Sequence, residues 1–334
     1  MQIAYTAPAF SKTTVTLTGP DGKTIAGHAG YDPSTWVPAQ ALAYGSSYTA
    51  KITSVGTGTS TSTTFTTMPK PTKLVAVRSF LGSGMVYGDA MPVILQFSHG
   101  IPAAERASVQ KRLTVTSTPA QVGAWNWIND HEVHFRPRAL WQPGTKLAIT
   151  AATSGVPMGD GYYAGNGLTV DASITKHPMS VVDDDRTHLL TVRVDGKVVK
   201  EFPASMGKAA TPSSSGNLVI MTRRASQVFD SSLGTGGTPL NAPGGYKELV
   251  NWVMQLTWSG QFIHAAPWSV KSQGRRDVSH GCTNISTPDA QWLYDNSLVG
   301  TPVKVENTTR TVSWGNGWTD WNVSWATYQN GSAV

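Results

Sequence analysis

Polar and apolar residues alternate in short runs along most of the chain, the mark of half-buried β-strands rather than of amphipathic helices. Thr14-Val15-Thr16-Leu17-Thr18 and Tyr48-Thr49-Ala50-Lys51-Ile52 are strands of this kind, and Pro20-Asp21-Gly22 supplies the turn that returns the chain towards Ile25. Pro69-Lys70-Pro71 breaks the pattern and reads as a linker. Beyond it, Val93-Ile94-Leu95-Gln96-Phe97 and Leu113-Thr114-Val115-Thr116 are core strands, and Trp125–Ile128 with Glu132–Phe135 flank an Asn129-Asp130 turn as a hairpin. Leu190–Val194 and Lys197–Val199 flank Asp195-Gly196, which suits a type I′ turn, and Ser259-Gly260 joins Val253–Leu256 to Gln261–His264 in a further hairpin. One helix is expected from Pro288 to Asn296, with Thr287 as cap and Ala290, Leu293 and Tyr294 on one face.

These patterns predict a mainly β protein with few short helices. Two β-sandwiches, immunoglobulin-like in the loose sense, occupy 1–70 and 71–175, a β-rich third domain occupies 176–306, and a Trp-rich tail follows at 307–334. Trp314, Trp318, Trp321 and Trp325 crowd the start of that tail. Packing back on the preceding domain is the favoured reading for them, over a platform that stacks sugars.

Composition sharpens this picture. A chain of 334 residues is about twice the usual domain size, so a single core is excluded. Charged residues are 14%, against roughly 25% in average globular proteins, which argues against long charged helices. The net charge of +6 suits an anionic polymer such as cell wall or nucleic acid, but no arm of Lys and Arg dense enough for nucleic acid is present. No run of 18 apolar residues offers a membrane span, and Met1–Pro20 lacks the plan of a signal peptide. The opening Met-Gln-Ile-Ala-Tyr-Thr reads as mature β sequence, and an exporting segment is expected upstream of it.

Cys282 is the single cysteine, so it has no partner in the chain for a disulfide or a Cys-rich metal site. Ser279-His280-Gly281-Cys282-Thr283-Asn284 surrounds it with polar residues, an odd setting for a buried filler. A cysteine nucleophile needs a lowered pKa or a nearby base, and a histidine supplies both by forming a thiolate–imidazolium pair. Two histidines compete for that role. His280 lies two residues away, about 6–7 Å along an extended chain, and His264 reaches the thiol only if its strand pairs beside the cysteine. Gly281 lets a backbone N–H approach a reacting carbonyl closely. Asp183-Asp184-Asp185 reads as a solvated turn, and His131 and His134 as surface residues of a strand.

The Ser279–Asn284 motif, with His264-Ala265-Ala266-Pro267-Trp268-Ser269 upstream, resembles the signature of L,D-transpeptidases of the YkuD type, particularly the mycobacterial branch with N-terminal Ig-like domains. Ser205-Met206-Gly207-Lys208, Thr211-Pro212, Phe229–Ser232, Gly244-Gly245-Tyr246 and Trp321-Asn322 also fall in that family's order. The resemblance implies Cys282 as nucleophile and His264 as base, oriented by the backbone carbonyl of Ala265. It implies the backbone N–H of Gly281 and of Cys282, with Tyr246, as oxyanion donors, a contribution of roughly 2.7–4 kcal/mol per donor. His280, Asn284, Trp268, Ser279, Ser259, Gly260 and Phe229 would contact substrate. Phe229 stands where many relatives carry Met, and 224–245 would form a lid.

The implied reaction cross-links peptidoglycan stem peptides 3→3 through a cysteine thioester with release of D-alanine, outside the cytoplasmic membrane. A tetrapeptide donor and a diamino-acid acceptor would be the partners, carbapenems the inhibitors, and no metal or organic cofactor is called for. Two other readings compete: a cell-wall-binding module with a vestigial site, and a carboxypeptidase that only hydrolyses stems.

Overall fold

The sequence breaks into strands where β-branched residues alternate with small polar ones, and the sheets follow these runs. The computed structural model describes residues 3–4, 13–29, 34–55, 57–233 and 238–334. Two compact units result, one formed by Met1–Val75 with Ser154–Gly165 and the other by Ala76–Thr153 with Asn166–Val334. The hairpin Pro157–Gly159 and Tyr162–Ala164, which chain order assigns to the second sandwich, therefore belongs to the first unit, where it pairs with Leu74–Val75.

In the first unit Thr13–Thr18 pairs with Thr24–Ile25 and with Ser47–Ser54, and Ser60–Thr66 continues the sheet. Leu17, Trp36, Tyr48 and Ala50 fill its small core. The turn expected at Pro20-Asp21-Gly22 is present, with Gly22 at φ 77°. The linker expected at Pro69-Lys70-Pro71 leads into this same unit rather than out of it.

The second unit opens with a sandwich of two four-stranded sheets. One has the order Val86–Tyr87, Leu168–Ile174, Lys146–Ala151, Leu113–Thr118; the other has Gly123–Trp127, Glu132–Pro137, Val93–Phe97, Val77–Ser79. The expected hairpin is there, with Trp125 opposite Phe135 and Trp127 opposite Val133.

The third predicted domain adds two more sheets. Six strands run in the order Lys197–Pro203, Leu189–Val194, Met179–Asp184, Pro302–Glu306, Ser214–Val219, Arg310–Thr311. Asp195 and Gly196, at φ 50° and 77°, close the first hairpin of this sheet as a type I′ turn demands. Four strands run in the order Thr222–Asp230, Lys247–Gln255, Phe262–Ala265, Thr283–Ile285. Val181, Leu190, Leu218, Met254, Ile263, Ile285, Leu293 and Val303 form one core between these elements. Each such side chain stabilises the fold by about 1.5–3 kcal/mol when fully buried. The helix spans Thr287–Asn296, one residue longer than expected at its start, because the Ser286 hydroxyl accepts from the Asp289 amide and is the cap in place of Thr287.

The tail touches both parts of this unit. Asn316 and Asn322 bond to Ser259 and Asn217 of the third predicted domain. Two of its tryptophans reach the sandwich: Trp318 meets Phe80 edge to face at 4.8 Å, and Trp321 Nε1 donates to the Ala90 carbonyl at 2.8 Å. His134, read from sequence as a surface residue, is buried here between Asp320 at 2.9 Å and Glu132 at 2.8 Å. The pairing holds its imidazole up to about 9 against the pull of burial. Arg136 lies 4.4 Å from the Tyr328 ring and also stacks on Trp321 and Trp325. No described helix is long and apolar enough to cross a membrane.

Candidate active site

Parallel pairing of Phe262–Ala265 with Thr283–Ile285 places His264 opposite Asn284 and brings the base strand beside the cysteine. His264 is buried, and its Nδ1 donates to the Ala265 carbonyl at 2.9 Å, which leaves Nε2 as the basic nitrogen. The bond uses only the backbone of Ala265, so the short side chain there costs nothing. Phe229 and Trp268 hold the imidazole from either side, with ring centroids at 5.3 Å and 6.0 Å.

Burial pulls His264 down to about 4, opposed by the bond to Ala265. Cys282 is half-buried against Phe262 and Phe229, its thiol donates to the Gly260 carbonyl at 3.5 Å, and burial pushes it up to about 11. Both shifts run against the thiolate–imidazolium pair expected from sequence. Two apolar neighbours and a carbonyl acceptor favour a neutral thiol beside a neutral imidazole.

Cys282 sits at the end of a built loop. Ser279 Oγ donates to the Cys282 carbonyl at 2.6 Å and accepts from the Gly281 amide at 3.0 Å. Ser213 Oγ donates to the Gly281 carbonyl at 2.9 Å and accepts from the Gly207 amide at 3.0 Å. The Gly281 N–H, expected to face a reacting carbonyl, is thus already committed to Ser279. The Cys282 N–H has no partner among the described residues.

A cleft of about 710 Å³ opens over the thiol, and Phe229, Tyr246, Ser259, Gly260, His264, Trp268, Ser279, His280, Cys282 and Asn284 all line it. Every side chain or turn named from the sequence as a substrate contact therefore meets the same space. Gly260, at φ 94°, turns the chain so that its carbonyl faces the thiol. Tyr246 stacks on His280 with centroids 5.5 Å apart, and burial raises its phenol, so it is a donor at neutral pH. Asn284 donates to Ser269 Oγ at 3.2 Å and is buried. Residues 234–237 of the expected lid lie outside the described residues; its flanking strands Thr222–Asp230 and Lys247–Gln255 form a long antiparallel arm.

Sequence reasoning missed two supports. Thr283 donates to Asp183 at 2.5 Å, and Asp183 is fully buried rather than part of a solvated turn. Lys208 reaches His280 at 3.1 Å. No group of three or more acidic, His or Cys side chains that could hold a metal occurs among the described residues.

Comparison with known proteins agrees with this geometry. Residues 178–305 match the YkuD L,D-transpeptidase catalytic domain, and residues 3–157 match a bacterial Ig domain. The chain is 37% identical to L,D-transpeptidase 2 of Mycobacterium tuberculosis, over 96% of this chain and 78% of that one. It is 31% identical to L,D-transpeptidase 5 of the same species, over 96% and 70%. Among solved structures, the L,D-transpeptidase LdtMt1 in complex with imipenem superposes with a TM-score of 0.60 at 30% identity, covering 71% of this chain and all of that one. L,D-transpeptidase 3 of M. tuberculosis with a faropenem-derived adduct gives 0.58 at 29% identity, over 70% and 98%. The chain belongs to the L,D-transpeptidase family of enzymes, with a bacterial Ig region ahead of its YkuD catalytic domain.

Proposed function

We propose that this enzyme forms 3→3 cross-links between peptidoglycan stem peptides, with Cys282 as nucleophile and His264 as general base. The reading is carried by one observation: Cys282 immediately precedes the strand that pairs in parallel with that of His264, both residues open on one cleft, and the imidazole has its Nδ1 committed to a carbonyl so that Nε2 is the base. Cys282 Sγ attacks the carbonyl of the third residue of a tetrapeptide donor as its proton passes to His264 Nε2. The Cys282 N–H and the Tyr246 hydroxyl donate to the developing oxyanion. The C–N bond breaks, the proton on Nε2 goes to the leaving amine, and D-alanine departs to leave a thioester. The side-chain amine of an acceptor's diamino acid then attacks, loses its proton to His264, and expels the thiol.

Two neutral partners suit this order of events, because the proton moves as the bond to carbon forms. A carbapenem offers the same carbonyl in a strained ring and is expected to acylate Cys282. Stem peptides in the cell envelope, outside the cytoplasmic membrane, are the physiological partners. Intact-mass measurement with a disaccharide-tetrapeptide and with a carbapenem tests the proposal. A thioester mass on the wild type and none on Cys282→Ala, together with a cross-linked dimer, is the expected result. Stems shortened without any dimer would replace the transferase with a hydrolase.

A further inference from the structure

Lys208 is a cation with no ion pair among the described residues. The backbone brings it beside the turn that carries Cys282: Gly207 bridges Ser279 in parallel register, and the Lys208 amide donates to the Ser279 carbonyl at 3.0 Å. A Cβ on Gly207 would fall 2.3 Å from the Thr211 carbonyl oxygen, so only glycine permits this close passage. Lys208 Nζ lies 3.1 Å from His280 Nε2, and His280 lines the cleft with Thr211, Ser279 and Cys282. No ion pair joins Lys208 to a carboxylate among the described residues. Of the acidic residues lining the cleft, Asp230 is already paired with Lys247 at 3.4 Å, and Glu248 is on the same arm.

An ammonium can only donate, so His280 Nε2 accepts and the ring carries its proton on Nδ1. Partial burial and then the lysine charge both lower the basicity of His280, which keeps the ring neutral on its Tyr246 stack. Two ammonium protons remain for a ligand.

We propose that Lys208, held by His280, receives the free C-terminal carboxylate of the donor stem, the group that leaves with the terminal amino acid. This rests on the transpeptidase reading given above. That carboxylate belongs to the residue next to the attacked carbonyl, about 3.8 Å away between consecutive Cα atoms, and His280, which holds Lys208, lines the same cleft as Cys282. A stem one residue longer would carry its carboxylate past the ammonium. Lys208 therefore selects donors that end one residue beyond the scissile bond, through a charge-assisted contact.

Binding in a Cys282→Ala background tests this without turnover. Calorimetry with a tetrapeptide stem ending in a free acid, and with its C-terminal carboxamide, is expected to show the acid binding about tenfold tighter. Lys208→Met removes the difference, and Lys208→Arg retains most of it, which separates recognition of charge from damage to the loop. Equal affinities for the two peptides in the Lys208 protein, or a preference that survives Lys208→Met, overturns the proposal. Acylation of the wild type, measured separately, shows whether the transpeptidase reading stands regardless of that result.

Discussion

Ser279 holds the nucleophile by its own backbone: the buried hydroxyl donates to the Cys282 carbonyl at 2.6 Å and accepts from Gly281 at 3.0 Å. One oxygen thus closes the turn that aims the thiol at the cleft. Ser279→Ala removes both bonds and leaves the Gly281 amide and the Cys282 carbonyl without that partner. A misplacement of about 1 Å at a reacting atom can cost about 10²-fold in rate, so carbapenem acylation of Ser279→Ala is expected to slow by about that factor. Stopped-flow fluorescence measures it; an unchanged rate would show that the turn holds without the serine.

The neutral resting pair has a spectroscopic consequence. Burial raises Cys282 to about 11 and lowers His264 to about 4, so between those limits the thiol keeps its proton and the imidazole lacks one. Thiolate absorbance near 240 nm, taken as wild type minus Cys282→Ala, is expected to be absent at pH 7 and to rise only towards pH 11. Full thiolate absorbance at pH 7 would restore the ion pair. Acylation is expected to fall as pH drops towards 4, where His264 becomes protonated and can no longer accept from the thiol.

Stability should depend on the junction between His134 and Asp320. Asp320 and Glu132 hold His134 up to about 9 in the folded protein, above its ordinary 6.5, so its contribution is complete below pH 6.5 and fades as pH rises through 9. Asp320, lowered from 3.8 by His134 and Tyr328 despite its burial, contributes above 3.8 and loses its share as pH falls further. Denaturant midpoints are expected to decline from pH 6.5 to 9 in the wild type and to lack that decline in His134→Gln. Removing one partner of a buried pair typically costs about 3–5 kcal/mol, so Asp320→Ala is expected to be strongly destabilised at pH 6.

Asp183 should behave in the opposite sense. Burial first, then Asp185, Asp277 and Asp184, push its carboxyl up to about 7 against the bond from Thr283. The folded state therefore retains a proton that the unfolded chain has lost, and stability drains away as pH climbs from 3.8 to 7. Asp183→Asn keeps an acceptor for Thr283 and carries no charge. Its denaturation midpoint is expected to exceed the wild type at pH 8 and to match it at pH 4; equal midpoints at pH 8 would mean that the carboxylate is accommodated.

What the sequence discloses depends on how far apart the cooperating residues lie. Cys282 and His264 are legible because motif and strand pattern fall within one short stretch, and the Asp195-Gly196 hairpin because its turn chemistry is local. His134 is misread because its partner Asp320 is remote in the chain. Asp183 could have been found: Met179 and Val181 face inward, and a period of two carries Asp183 to the same side. A run of three aspartates hid that register. The bond from the Gly281 amide to Ser279 is illegible for a different reason, since only the fold brings that hydroxyl back onto it.

The parallel pairing of the base strand with the nucleophile strand has a consequence for variation. Pairing fixes His264 opposite Asn284, and the Ser279 turn holds Cys282 just ahead of the partner strand, so neither position is set by the exposed part of the connection that links them. The exposed tip of that connection, around Lys271 and Arg275, lines a separate hollow with Pro203 and Asp289 and not the cleft over the thiol, so insertions there can change the outer surface while His264 and Cys282 stay in place. The scaffold thereby separates the two residues proposed for acyl transfer from a surface that can vary by loop change alone.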